Sequence, residues 1–465
     1  MSYTTIDDPT IYFNTKLYSG NGGTQSITGV GFQPDWVWLK DRTAANSNKL
    51  YDGVRGATKY LISDDNSAEA TQSNGLTSFD SDGFTLGSYG GTNNSSNNYV
   101  SWNWLAGGTA PAITYSVKVV SDSGNKYRFD DFGTSAVTLD LQEGGTYTFD
   151  QSDSSNSGHP LRFSTTSNGT HGGGSEYTTG VTTNGTPGSS GAYTRITVAA
   201  SAPTLYYYCT QHSGMGGQAN TNSTFGSSNF GGSIQTNVSA NTTTGFSIVS
   251  YTGTGSNATI GHGLGAIPKM YIARNITDAE QWTTYHVGLD ASAPEDYHVR
   301  LNTTDARVDE AAVWNDTAPT SSVFSVGDSG APNGSGDSHI AYCFAEVKGF
   351  SKLGSYIGNG NGEGTFVYTG FKPAWIMIKR SSHSGTSWEI RDNKRQPFPD
   401  GNAKRLFADD SSAESSNNEA VEKLSNGFKI RSTGGGHNTS GNTYIYMAFA
   451  ESPFVNSNGI PTNAR

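Results

Sequence analysis

"GFQPDWVWLKDR" (residues 31–42) sets Trp36 and Trp38 on one face of an extended segment and Val37 and Leu39 on the other. Side chains alternate with period two along a strand, so both faces of this one are apolar. That is the pattern of an inner strand of a sandwich, covered on each side. A proline just ahead of the strand fits its entry, where no ladder donor is lost.

The segment returns twice, as "GLGAIPKMYIAR" (263–274) and "GFKPAWIMIKR" (370–380), where Trp375 and Met377 oppose Ile376 and Ile378. Each copy is followed later by an aromatic strand: "YVSWNWLA" (99–106), "HIAYCFAEV" (339–347) and "YIYMAFAESPF" (444–454). Between them "YLISDDNSAEA" (60–70) matches "RLFADDSSAES" (405–415), with a looser "VRLNTTDARVDEA" (299–311) in the middle copy. A "DGFTL" or "NGFKI" strand (82–86 and 426–430) follows in the outer two. Self-similarity of this kind divides the chain better than composition does. With about 100 residues per copy and frequent turns, it predicts tandem antiparallel β-sandwiches, an all-β fold. The expected units are repeat 1 at 1–110, a separate domain at 111–217, a linker at 218–243, repeat 2 at 244–350 and repeat 3 at 351–465.

Composition agrees. The chain has 465 residues, 59 of them Gly, with 33% apolar and 11% aromatic content, which suits short strands over thin aromatic cores and disfavours large helical domains. The net charge of −11 divides as −4, −3 and −7 over 1–110, 111–222 and 223–350, and +3 over 351–465. Three acidic sections argue against a nucleic-acid partner; the basic last section suits an anionic partner such as a charged surface glycan. No run approaches the ~20 apolar residues of a membrane helix. The start, "MSYTTIDDPT", has no basic-then-apolar signal pattern, which predicts folding in a reducing cytosol. Two cysteines, Cys209 and Cys343, make no disulfide framework. Cys343, inside an apolar strand, is expected in the core.

The paired "DDxSAE" segments have capping-box spacing, Asn66 with Glu69 and Ser411 with Glu414, and give the one short helical signal. Asp64, Asp65, Asp409 and Asp410 also raise a calcium reading, but such loops need more oxygen ligands, and the middle repeat lacks the pair. Capping and turn chemistry is the preferred expectation. The uncharged run at 216–245 is expected to be a flexible linker or an extended arm along a neighbouring subunit. No Gly-x-Ser-x-Gly elbow, HExxH or P-loop occurs, and no enzyme is expected.

Residues 111–217 alternate almost throughout, with strands expected at 115–120, 126–129, 136–141, 146–150 and 160–164 and two more ending at Cys209. This domain contains "NSGHPLRFS" with His159 and "YYYCTQHSGMGG" with Cys209, His212 and Met215. On those residues it resembles a cupredoxin, a Greek-key sandwich. The resemblance implies a copper site in which two imidazoles and a thiolate form a trigonal set with an axial thioether. His171, in the 165–194 insertion, is the alternative upstream ligand.

The opening "MSYTTIDDPTIYFNTKLYSGNG", the "GFQPDWVWLK"-type repeats and the "SGHPLRF…YYYCTQHSGMGG" insert look like virion structural proteins of tailed marine bacteriophages. The sandwich repeats are similar to concanavalin-A-like lectin folds. The resemblance implies a non-enzymatic protein on the virion surface, of the tail-fibre adhesin type. It would be made in the host cytoplasm and released by lysis. Its partners would be other virion proteins and a host-surface glycan or receptor, and it would be a homo-oligomer such as a trimer. A capsid decoration, fibre or adaptor protein is the alternative, and a copper electron carrier a third.

Overall fold

The computed structural model describes residues 3–396, 403–417 and 420–462. It is nearly all β, with a few single-turn helices, and the three repeats are two-sheet sandwiches. In repeat 1 the inner sheet runs Phe13–Ser19, Asn98–Trp104, Trp36–Asp41, Lys49–Asp52, and the outer sheet runs Gln25–Thr28, Gly83–Leu86, Leu76–Asp80. Repeat 3 has the same plan, its inner sheet centred on Thr443–Pro453 and Phe371–Arg380 and its outer sheet running Phe366–Tyr368, Gly427–Arg431, Ala420–Leu424. In repeat 2 the inner sheet grows to eight strands around Ser338–Ala345 and Pro268–Asn275. Its outer sheet pairs Ala258–Gly261 with Val323–Val326.

The alternation read from the sequence holds, but the two faces bury against different things. Val37 and Leu39 pack under the outer sheet of repeat 1, on Ile27, Phe84 and Leu86. Trp36 and Trp38 point the other way, into one core shared by all three repeats, which also takes Met270 and Ile272 from repeat 2 and Trp375 and Met377 from repeat 3. Ring contacts cross each boundary: Trp36 stacks on Tyr342 with centroids 4.5 Å apart, Trp104 meets Trp375 edge-on at 5.7 Å, and Phe344 meets Phe449 at 6.2 Å.

The boundary contacts follow a cycle. The cation closing each inner strand donates to backbone carbonyls of the neighbouring repeat's arm: Lys40 to Ser411 at 2.8 Å, Arg274 to Asn66 at 2.6 Å and Lys379 to Thr303 at 3.3 Å. One strand on, Asn48 Nδ2 donates to Phe407 O, Trp282 Nε1 to Ile62 O and Trp388 Nε1 to Arg300 O. The arm of repeat 3 thus lies on repeat 1, that of repeat 1 on repeat 2, and that of repeat 2 on repeat 3. The single chain closes a pseudo-three-fold ring.

The paired "DDxSAE" segments are these arms, and they form no helix. Their carboxylates serve turns and the clasp. Asp65 and Asp410 accept from Ser67 and Ser412 two residues on, Asp64 accepts from Asn48 N and Asp409 from Trp388 N. Glu414 pairs with Arg42 across the boundary. Capping-box spacing fails here because the neighbouring repeat supplies better partners than a helical turn would.

A second correction concerns residues 218–243, expected as a linker. They complete Gly217–Asn222, a strand of the inserted domain, and form Ser227–Asn229 and Thr236–Asn241, the first two strands of the eight-stranded sheet. Backbone pairing orders the run, and Phe230, Ile234 and Val238, sparse in its sequence, anchor it in the cores of the inserted domain and of repeat 2.

Each repeat also carries the same polar knot, which composition hides. Asn93, Asn333 and Asn438 are fully buried and donate to loop carbonyls, Asn93 to Gly23 and Gly87, Asn333 to Ser256 and Gly327, Asn438 to Asn361 and Ser432. Beside them Tyr18 stacks on Tyr99, Tyr251 on His339 and Tyr356 on Tyr444, each at an interplanar angle of 11°. Gly20, Gly253 and Gly358 must lack a side chain, because a Cβ would come within 2.2–2.3 Å of a carbonyl oxygen across the loop. Removing one amide strands two buried acceptors, so Asn93→Ala should cost about 2 kcal/mol. Asn333→Ala and Asn438→Ala should match it in urea titrations.

Residues 112–222 form a separate sandwich of two five-stranded sheets with its own aromatic core. Two of its pairings are parallel, Ala112–Ser116 with Thr146–Asp150 and Leu139–Gln142 with Ala219–Asn222. No helix among the described residues is long and apolar enough to cross a membrane. Cys343 lies fully buried in the core of repeat 2, and burial pushes its thiol well above the usual range.

Candidate metal centre

The register of two neighbouring strands brings the predicted ligands together. Leu205–Cys209 runs antiparallel to Leu161–Ser164 with Leu161 opposite Cys209. His159, two residues ahead of Leu161, therefore sits beside the end of the cysteine strand. The chain then turns through 210–214, carrying His212 back toward Cys209, and returns as Gly217–Asn222 beside Leu205–Tyr207. Gly216 is required in that return, since a Cβ there would lie 1.7 Å from Tyr207 O.

His159 Nδ1 and His212 Nδ1 each stand 3.8 Å from Cys209 Sγ, and the three donor atoms lie within 4.8 Å of one another. Donors around a trigonal ion with bonds of about 2.0–2.3 Å stand about 3.7 Å apart, so the spacing fits. Cys209 is buried, His159 half-buried and His212 exposed, which leaves the group open to solvent along one edge. Met215, 1% exposed, packs in the same apolar cluster as Cys209. A cysteine sulfur and two imidazoles suit copper better than a hard cation. Burial, and then the neighbouring His212, lower the His159 pKa. That direction favours the neutral imidazole, the form that ligates a metal.

Several residues that the sequence does not advertise hold this group. Tyr127 Oη and Gln151 Nε2 both donate to the carbonyl of His159, each at 2.9 Å, while the Tyr127 N–H donates to Met215 O. Asn168, at φ +61°, ties the 165–194 insertion to the ligand turn, donating to Ser213 Oγ and accepting from Gly214 N, both at 2.8 Å. His171 is not a fourth donor. Its Nε2 donates to the backbone carbonyl of Cys209 at 3.1 Å, bracing the cysteine from outside the ligand group. Such second contacts orient ligands, but only folding brings them to the site. Among the described residues His159, Cys209 and His212 are the group of three that converges; the four arm aspartates do not.

The expected result on adding Cu(II) is a strong visible thiolate-to-copper absorption. Cys209→Ser should abolish it, and His171→Ala should keep it with at most a shift. A band that survives Cys209→Ser would remove the ligand assignment.

Residues 8–130 and 160–453 match the model of a family described as a domain of unknown function (DUF7483), and the chain belongs to that family. The match spans the three repeats and most of the inserted sandwich, and leaves out 131–159, where His159 lies. No curated protein and no solved structure matches the chain.

Proposed function

We propose that the protein is a non-enzymatic structural protein of a bacteriophage particle, exposed on the virion surface as a tail-fibre-type adhesin for host-surface glycans or receptors. The observation that carries this reading is the ring of three sandwiches closed on one aromatic core. Such a body is rigid, and it repeats one set of end loops about an axis. A many-copy particle turns weak contacts at such loops into avidity. The sequence resemblance to tailed-phage virion proteins supports the same reading. Labelled antibody on intact particles tests it: label at the tail supports the adhesin, and unlabelled particles remove the reading. Label confined to the head favours a capsid decoration or adaptor role instead. Homo-oligomerisation belongs to this proposal, and a monomeric mass by light scattering would delete that part.

A second reading rests on the His159, Cys209, His212 triangle. Copper there would brace the inserted sandwich, and reversible redox chemistry would make the domain an electron carrier. Copper that raises the melting temperature without cycling between oxidation states fits the structural role.

A further inference from the structure

The pseudo-three-fold ring lets one repeat serve as a control for another. On the outer sheet of repeat 1, Ser26 and Thr28 flank the buried Ile27 and face solvent. Ser26 pairs across the sheet with Thr85, their hydroxyls 2.9 Å apart. In repeat 2 the equivalent residues are Thr259 and Gly261, on either side of Ile260. The fold is therefore satisfied by small residues at these places. Repeat 3 instead has Phe366 and Tyr368 around the buried Val367, 44% and 53% exposed. Two aromatic rings stand half-exposed where the other repeats carry small residues, and Tyr368 Oη meets Tyr3 Oη of the N-terminal segment at 3.1 Å.

Their surroundings are also particular to this repeat. Lys429 stands opposite Phe366, where repeat 1 has Thr85 and repeat 2 has Ser325. Glu363 accepts from Lys429 at 2.7 Å and also pairs with Arg431, which reaches Glu422 at 2.7 Å. Gly427 lies opposite Tyr368 and adds no side chain, so the face is open and flat. Residues 351–465 form the one section with a positive balance, +3, on a chain of net −11.

We propose that this outer face of repeat 3 binds an acidic polysaccharide strand, with sugar faces stacked on Phe366 and Tyr368 and carboxylate or sulfate groups meeting Lys429 and Arg431. The proposal rests on the adhesin reading and assigns it a site. Aromatic rings offer apolar area at low entropic cost. Lys429 and Arg431 are held by Glu363 and Glu422 only in exposed ion pairs, which an incoming anionic group displaces at little cost, and the +3 balance of 351–465 favours an anionic polymer over a neutral one. A flat face suits a polymer lying across it better than a small molecule, which needs a concave site.

The test uses the full chain in affinity electrophoresis through gels containing alginate, hyaluronate, carrageenan or neutral dextran. Retardation by at least one acidic polymer and none by dextran is expected, weakening as salt rises. Phe366→Ser with Tyr368→Thr installs the residues repeat 1 already uses and gives up only the Tyr3–Tyr368 hydroxyl contact, so the sandwich should stay folded and circular dichroism can check it. That variant should weaken retardation roughly tenfold or more, and Lys429→Thr should weaken it for acidic polymers. No retardation by any acidic polymer overturns the proposal, as does unchanged retardation of the double variant. A double variant that instead lowers the mass in light scattering makes the face a contact between copies and also overturns it. Antibody labelling of particles is independent of these outcomes, so a virion protein that binds no acidic polymer fails here and not in its location.

Discussion

Trp36→Ala should lower the unfolding free energy by about 3–5 kcal/mol, the usual cost of truncating a fully buried large aromatic. All three repeats should loosen together. Trp36 is 0% exposed and lies in the shared core, 4.5 Å from the rings of both Trp104 in its own repeat and Tyr342 in the next. The cavity would open at the boundary between repeats. Urea unfolding of repeats 1, 2 and 3 should therefore remain one transition, shifted to lower denaturant. If repeat 1 unfolded alone while repeats 2 and 3 held, the shared core would not be the cooperative unit. Trp36→Phe makes a sharper comparison. The indole N–H of Trp36 has no acceptor, so the smaller ring loses area without stranding a polar partner and should cost clearly less.

The same tryptophan shows how far the sequence could be read. The alternation of 36–39 gave the strand and its two covered faces, and the three copies of that pattern gave the number of sandwiches. Nothing in the pattern says what covers each face, because period two reports burial and not the identity of the neighbour. That the second face of Trp36 meets Tyr342, 306 positions along the chain, is a tertiary fact. The arms were misread for the same reason. "DDxSAE" carries local capping spacing, and the partners that hold the arms extended, Arg274 on Asn66 and Ser67 and Lys40 and Arg42 on Ser411 and Glu414, belong to a neighbouring repeat far away in sequence. The His159, Cys209, His212 group was more legible. Cys209 and His212 share one turn, so their convergence is nearly local, and His159 is fixed by a single strand register. The choice between His159 and His171 lay beyond the sequence, as did the bracing roles of Asn168, Gln151 and Tyr127, since each depends on which loop folds over which.

Asp392→Ala should cost about 3–5 kcal/mol by a different route, because it removes the closest counter-ion of the buried Arg395 and leaves it only Glu414 at 3.5 Å. Asp392 and Arg395 have fully buried side chains joined at 2.5 Å, and Trp102 of repeat 1 donates its indole N–H to the same carboxylate at 3.0 Å. Burial alone would raise the Asp392 pKa, but Arg395 and then the Trp102 hydrogen bond hold it below the ordinary range. Its contribution is thus present above the unfolded carboxylate pKa of about 3.9 and is lost as pH falls through the lower folded value. The ring repeats this device and varies it coherently. Asp52 pairs with Arg55 and accepts from Tyr342 Oη of repeat 2 at 2.7 Å. At the third boundary the position of Trp102 and Tyr342 is taken by Met447, which has no N–H or O–H to give. There the acid is replaced by His286, whose Nε2 donates to Tyr446 O at 3.0 Å, and the arginine is replaced by the buried Leu289. The three positions change as a set, so they should be coupled in a mutant cycle. Trp102→Met, Asp392→His and Arg395→Leu combined should recover much of the stability that Asp392→Ala loses, whereas Asp392→His alone should not. Additive losses across the three changes would show that the boundary does not act as one unit.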